Sequence, residues 1–276
     1  MKMIVVPTDL STESEIALSV AVDIARIYNA EVTFIHSILY PAVVGPYPGG
    51  SMIVADYMLD THRKLEDEAR QTMDRMQHNP AYAGISITPV LVTSGRGLVD
   101  GVTEQQADLI VLFSSGSSGL AAWLVGSNAE AITRHAHCPV LVVKEPVPHF
   151  KPEKIVFAID IDDRFKNSDH YPIQLGEQQK QQQFLYVLTP SDNREPDGIR
   201  EWVDELVRDK GITDFNLAIR HARSVPEGIV AYAEDTHADL IVLFTRGRTG
   251  LSHLLSGSVA EDVLNRAKTP VLVMRF

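Results

Sequence analysis

Residues 107–145 read ADLIVLFSSGSSGLAAWLVGSNAEAITRHAHCPVLVVKE, and residues 238–276 read ADLIVLFTRGRTGLSHLLSGSVAEDVLNRAKTPVLVMRF. Aligned without a gap at a constant offset of 131, the two stretches are identical at 20 of 39 positions, so the chain is a tandem of two related units. Each copy runs from an apolar stretch through a Gly-rich loop and a Gly-Ser pair to an amphipathic segment and a second apolar stretch. That order predicts strand, loop, helix N-terminus, helix and strand. Backbone N–H groups and a helix dipole then converge where a phosphate can sit.

The residues upstream of each copy extend the same pattern. Residues 3–6 (MIVV) are a short apolar run that reads as a buried strand, with Pro7-Thr8-Asp9 as its exit. From Ser11 the spacing turns helical, with Ile16, Ala17, Val20, Ala21, Ile24 and Ala25 on one face. Ser11 or Thr12 is suited to cap that helix and Asn29 to stop it. A strand at 31–37 follows, then a Pro- and Gly-rich loop at 38–52, a polar helix at 55–77, a strand at 87–92 and a helix at about 97–106. Nearly all-apolar strands alternating with helices predict a parallel sheet covered on both faces. The Pro-rich stretch 144–153 marks a boundary, giving units 1–146 and 152–276. In the second unit Ile155–Asp160 is the counterpart of Ile4–Asp9, while the polar stretch 161–183 leaves room only for a short or irregular helix. Strands at 184–190 and 215–222 and helices at 196–210 and 226–235 complete it.

A length of 276 residues fits two domains. The net charge of −11 argues against non-specific nucleic-acid binding and against docking on anionic lipid. No apolar run reaches the roughly 18 residues needed to cross a bilayer, and the run before Pro7 is too short for a signal-peptide core. With Cys138 as the one cysteine there is no intrachain disulfide framework. The expectation is a soluble, cytoplasmic protein.

The repeated loops carry the candidate chemistry. Ser114, Ser115 and Gly116 follow the strand of the first copy, and Gly126-Ser127 open its helix. Thr245, Arg246, Gly247 and Gly257-Ser258 are their counterparts. Glycines let a backbone approach a phosphate closely, and hydroxyls and N–H groups supply donors. Ser127-x-x-Glu130 and Ser258-x-x-Glu261 are also capping boxes, which need no ligand; the recurring glycines and hydroxyl-rich strand exits are what a cap leaves unexplained. Arg246 and Arg248 offer the second loop cations for phosphates, or form a solvated basic turn. Asp9 and Asp160 lack an acid–base partner nearby in sequence and read as ribose or turn acceptors. His135-x-His137-Cys138 is replaced by Arg266, Lys268 and Thr269 in the second copy, which argues against a metal site, and His36 reads as a satisfied core histidine. No nucleophile elbow, zinc motif or Walker-type Gly-Lys-Ser occurs, so no residue is assigned a catalytic role.

Three features together resemble the universal stress protein family in its tandem form: Pro7-Thr8-Asp9, the nine residues between Gly116 and Gly126-Ser127, and the ending His135-Ala-His-Cys-Pro-Val-Leu-Val-Val. The resemblance covers nearly the whole chain and is weakest at 161–183. It implies an α/β fold of two tandem five-stranded parallel-sheet units, Rossmann-like and adenine nucleotide alpha hydrolase-like, packed as an internal pseudo-dimer through their terminal strands, with a further homodimer left open. One branch of the family binds ATP through G-x2-G-x9-G-(S/T). Carried onto this chain, the second Gly is Gly116 or Gly247 and the final pair Gly126-Ser127 or Gly257-Ser258. Asp9 or Asp160 then lies near the adenosine, with Ser37 or Val187 on the adenine side. The first Gly of the pattern is replaced by Phe113 and Phe244. A cradle built here either starts one residue later, at Ser114 or Thr245, or binds more weakly. The implied ligand is ATP, AMP or ADP, with Mg admitted as a companion ion. The implied role is a stress-responsive regulator with an unnamed protein partner. Slow ATP hydrolysis, or a scaffold that has lost the ligand, are the alternatives.

Overall fold

The computed structural model describes residues 1–39, 52–93, 97–114, 127–166, 182–245 and 259–275. Packing divides the chain into Met1–Val111 and Leu112–Phe276.

The first of these holds β1 (Met3–Pro7), α1 (Ser14–Tyr28), β2 (Glu31–Ser37), α2 (Met52–Gln77), β3 (Ile87–Val92), α3 (Leu98–Thr103) and the start of β4 (Leu109–Phe113). Its strands lie in the order β3-β2-β1-β4, with every registered pair parallel. Ile4, Val5 and Val6 are fully buried, as expected of a central parallel strand covered on both faces. Helix α1 buries Ala17, Leu18, Ala21, Ile24 and Ala25 against β1 and β2, and Asn29 stops it in the left-handed region at φ 51°. The helix begins at Ser14, three residues after Ser11 and two after Thr12, the expected caps. The chain first makes a turn through Leu10, at φ 65°, and the Ser14 N–H then donates to Ser11 Oγ at 3.1 Å.

The second division holds α4 (Ser127–His135), β5 (Val140–Val143), β6 (Ile155–Ala158), α5 (Asp163–Lys166), β7 (Gln182–Leu188), α6 (Pro196–Asp209), β8 (Phe215–His221), α7 (Val225–Asp235), β9 (Leu240–Thr245), α8 (Val259–Arg266) and β10 (Val271–Arg275). Strand order is β5-β10-β9-β6-β7-β8. Here the terminal strands of the two repeats pair antiparallel, Leu272 facing Leu141 and Val273 facing Val140, while the other registered pairs are parallel. Within 161–183, the described helix is the single turn α5. Trp202 of α6 holds it by donating from Nε1 to Asp163 at 3.1 Å, with Lys166 Nζ lying 5.6 Å from the Trp202 ring centre.

Two devices recur in both repeats. Asp108 Oδ2 accepts from the N–H groups of Lys2 and Met3 at 2.5 and 3.0 Å, and Asp239 Oδ2 accepts from Glu153 and Lys154 at 3.0 and 2.9 Å. An aspartate entering the fourth strand of each repeat thus ties down the start of its first strand. The fourth position after each helix N-cap is a glycine, Gly101 in α3 and Gly228 in α7, where the helix comes down close on the sheet.

Candidate functional site

In the first repeat, Pro7 ends β1 buried beside Ile35, and Thr8 carries the chain out of the sheet. Thr8 is 2% exposed; its N–H donates to the Ile35 carbonyl at 2.9 Å, and its Oγ1 accepts from Leu10 N at 2.9 Å and lies 2.6 Å from Ser14 Oγ. Asp9 projects to the surface, where its Oδ1 accepts from the N–H and the hydroxyl of Ser11 at 3.0 and 2.5 Å. Partial burial opposes the charge of Asp9, but the Ser11 bonds outweigh it and hold the carboxyl below its usual range. His36, on β2, sits with Nδ1 2.9 Å from the Thr8 carbonyl. Ser37 ends β2 and, with His36 and Leu10, lines a cavity of about 440 Å³ under α2.

The corresponding place in the second repeat is a larger cleft of about 920 Å³ at the carboxyl ends of β6, β7 and β9. The chain runs from β6 to β7 on one side and returns to β9 on the other. That reversal opens a crevice between neighbouring strand ends, the usual ligand position in such sheets. Asp160 leaves β6 at its mouth, Val187 of β7 and Phe244 and Thr245 of β9 line it, and Val259 and Ala260 bring in the start of α8. The expected residues Asp160, Val187 and Thr245 therefore share one cleft. Thr245 is buried, and its hydroxyl donates to the Met274 carbonyl of β10 at 3.1 Å. The equivalent Ser114 is also buried, with its N–H donating to the Val143 carbonyl at 2.9 Å. Ser115, Gly116, Gly126, Arg246, Gly247, Gly257 and Ser258 lie outside the described residues; Ser127 opens α4.

Three further residues at the cleft escaped the sequence reading. Tyr186, buried on β7, donates its hydroxyl to Asp192 Oδ2 at 2.6 Å and accepts from Arg194 Nη1 at 3.2 Å. Arg194 Nη1 also reaches Asp192 Oδ1 at 3.2 Å. Burial pushes the Tyr186 phenol far up, and its bond to Asp192 pushes the same way. That bond also holds the Asp192 carboxyl low. The sole sequence signal was an Asp-x-Arg in the turn after the second strand, too common a pattern to single out. His135 Nδ1 lies 2.8 Å from the Ala131 carbonyl of its own helix, and among the described residues no three His, Cys, Asp or Glu side chains are grouped to hold a metal.

The profile of the Universal stress protein family matches residues 1–144 and 173–275. The chain belongs to this family. A universal stress protein of Mycobacterium tuberculosis is 28% identical over 297 aligned positions, covering 99% of this chain and 96% of its own. A universal stress protein of Methanocaldococcus jannaschii is 32% identical over 148 residues, covering 52% of this chain and 83% of its own. The crystal structure of a universal stress protein from Archaeoglobus fulgidus superposes with a TM-score of 0.59 at 19% identity, covering 99% and 96% of the two chains, which supports the universal stress protein fold over the whole length. The unmatched residues 145–172 contain the Pro-rich boundary and part of the polar stretch where the resemblance is weakest.

Proposed function

We propose that this universal stress protein binds an adenine nucleotide at the strand ends of its repeats and acts as a stress-responsive regulator rather than a fast enzyme. The observation that carries this reading is the cleft of about 920 Å³ that gathers Asp160, Val187 and Thr245 from three parallel strands beside the start of α8. Its size lies within the range of small-molecule sites, at a position where the fold supplies both an apolar wall and a helix N-terminus. In the ligand pose implied by the family, Asp160 faces the ribose, Val187 flanks the base, and the phosphates point towards α8. Mg would then ride on the phosphates, outside the protein's own donors. The first repeat offers Asp9 and Ser37 at equivalent places. Asp9, tied to Ser11 and held below the usual carboxylate range, is a poor general base, which weighs against hydrolysis as the main activity.

Melting curves of the purified chain with ATP, ADP or AMP, with and without Mg, test the reading. A nucleotide at about 100 times its Kd stabilises by about 2.7 kcal/mol, a rise of about 5 °C or more for a chain of this size. No shift with millimolar ATP, ADP or AMP would overturn it and leave a protein-binding scaffold as the function.

A further inference from the structure

The turn after β7 places opposite charges side by side at the cleft. Asp192 and Arg194, in the turn that follows β7, both line the cleft. Tyr186, 3% exposed and part of β7, pins the pair to the sheet by donating to Asp192 Oδ2 and accepting from Arg194 Nη1. The backbone N–H of Arg194 closes the turn onto Asp192 Oδ1 at 3.1 Å. With one guanidinium nitrogen so held, Nε and Nη2 of Arg194 donate to nothing among the described residues. An anchored guanidinium loses less freedom when it meets a ligand than a loose side chain does.

Charge decides what this end can receive. Among the described residues, Asp160 and Asp192 set two carboxylates against the single guanidinium of Arg194, so a phosphate is disfavoured here and a neutral group is not. A carboxylate beside a guanidinium offers one acceptor next to one donor. The N6 amino group and N7 of adenine form the complementary edge, donor next to acceptor. Guanine presents O6 and N7, two acceptors, and one of them would face the Asp192 carboxylate.

We infer that Asp192 and Arg194 read the base edge in the second repeat, Arg194 holding N7 and Asp192 selecting adenine over guanine. This rests on the nucleotide reading of the cleft and adds the residues that read the base. The device belongs to one repeat only. His36 stands in the first repeat where Tyr186 stands in the second, and bonds to the Thr8 carbonyl instead, while the sequence 38–51 contains no Asp, Glu, Lys or Arg.

The test is calorimetric titration of the full chain with ATP and with GTP, in a Gly126→Glu background that puts a carboxylate into the phosphate loop of the first repeat. The background is expected to bind ATP at least about fivefold more tightly than GTP. Asp192→Ser should raise GTP affinity relative to ATP and pull the ratio towards unity; Arg194→Met, which removes the donor to the N7 that both bases carry, should weaken both nucleotides, and Arg194→Lys, which keeps the charge without the fork, should weaken them less. Unchanged melting temperatures show that the variants fold. An Asp192→Ser variant that weakens both nucleotides together and leaves the ratio where it was would show that the pair has only a structural task, which overturns the inference but not the nucleotide reading. Absence of binding by either nucleotide, in the background and in the parent chain, overturns both.

Discussion

Gly228 shows how one missing atom shapes the cleft. A Cβ built at this position would stand 2.5 and 2.9 Å from the two methyl groups of Val187 and 3.0 Å from the Cβ of Ala222. Alanine would gain about 1 kcal/mol of helix propensity in α7, but the methyl contacts are backed by a fully packed strand, and overpacking costs about 1–3 kcal/mol. The clash should win, so Gly228→Ala is expected to lower stability by about 1 kcal/mol and to push Val187 towards the base side of the cleft, weakening ATP. Urea unfolding and ATP titration of the same variant check both halves; a variant more stable than the parent would show that the helix simply lifts. Gly101 in α3 is a milder case, its nearest neighbour being Val92 at 3.0 Å. The glycines were visible in the sequence. Their reason was not, because Val187 is far from Gly228 along the chain and meets it only across the helix–sheet interface.

The antiparallel pair β5 and β10 joins the terminal strands of the two repeats. Leu141 and Leu272 face each other across it, and both are fully buried. Each Leu→Ala change should cost about 2–5 kcal/mol through lost burial and a residual cavity. Directly opposed residues share packing, so the double variant should depart from the sum of the singles by at least about 0.5 kcal/mol. Denaturation midpoints of the two singles and the double measure this, and strict additivity would mean that the pair does not couple the strands. The apolar runs Pro139–Val143 and Pro270–Met274 made these strands legible. That they pair with each other was an expectation drawn from the family, since nothing in a Val-rich run names its partner. The cleft-side turn after β7 lies at the opposite extreme: Tyr186, Asp192 and Arg194 are eight residues apart at most, yet their bonds join a strand residue to the turn that follows it.

For the molecule as a whole, acid stability should follow its hydrogen-bonded aspartates. Asp108 is held below its ordinary value of 3.8 chiefly by the Lys2 N–H, Asp192 by the Tyr186 hydroxyl, and Asp9 by Ser11 against the opposing effect of burial. Each binds its proton less readily folded than unfolded. Their contribution is therefore fully present above about pH 4 and is lost as pH falls through the lowered folded values. Urea midpoints should stay level on this account from neutral pH to about 5 and drop below 4, with Asp108→Asn giving a shallower drop and a lower plateau. An unaltered slope in that variant would remove Asp108 from the account.

The order of strands and helices and the duplication were determined by the sequence alone, because hydrophobic period, turn residues and an internal repeat are local signals carried by the residues themselves. The same is true of Asp160, Val187 and Thr245 as residues of interest, through the motif they match. Tertiary structure decided which groups remain available to a ligand. The Thr245 hydroxyl is committed to the Met274 carbonyl of a neighbouring strand, Asp9 to Ser11, and one guanidinium nitrogen of Arg194 to Tyr186 and Asp192. A hydroxyl has one proton to donate, and whether a strand or a phosphate receives it depends on which carbonyl the fold brings within reach.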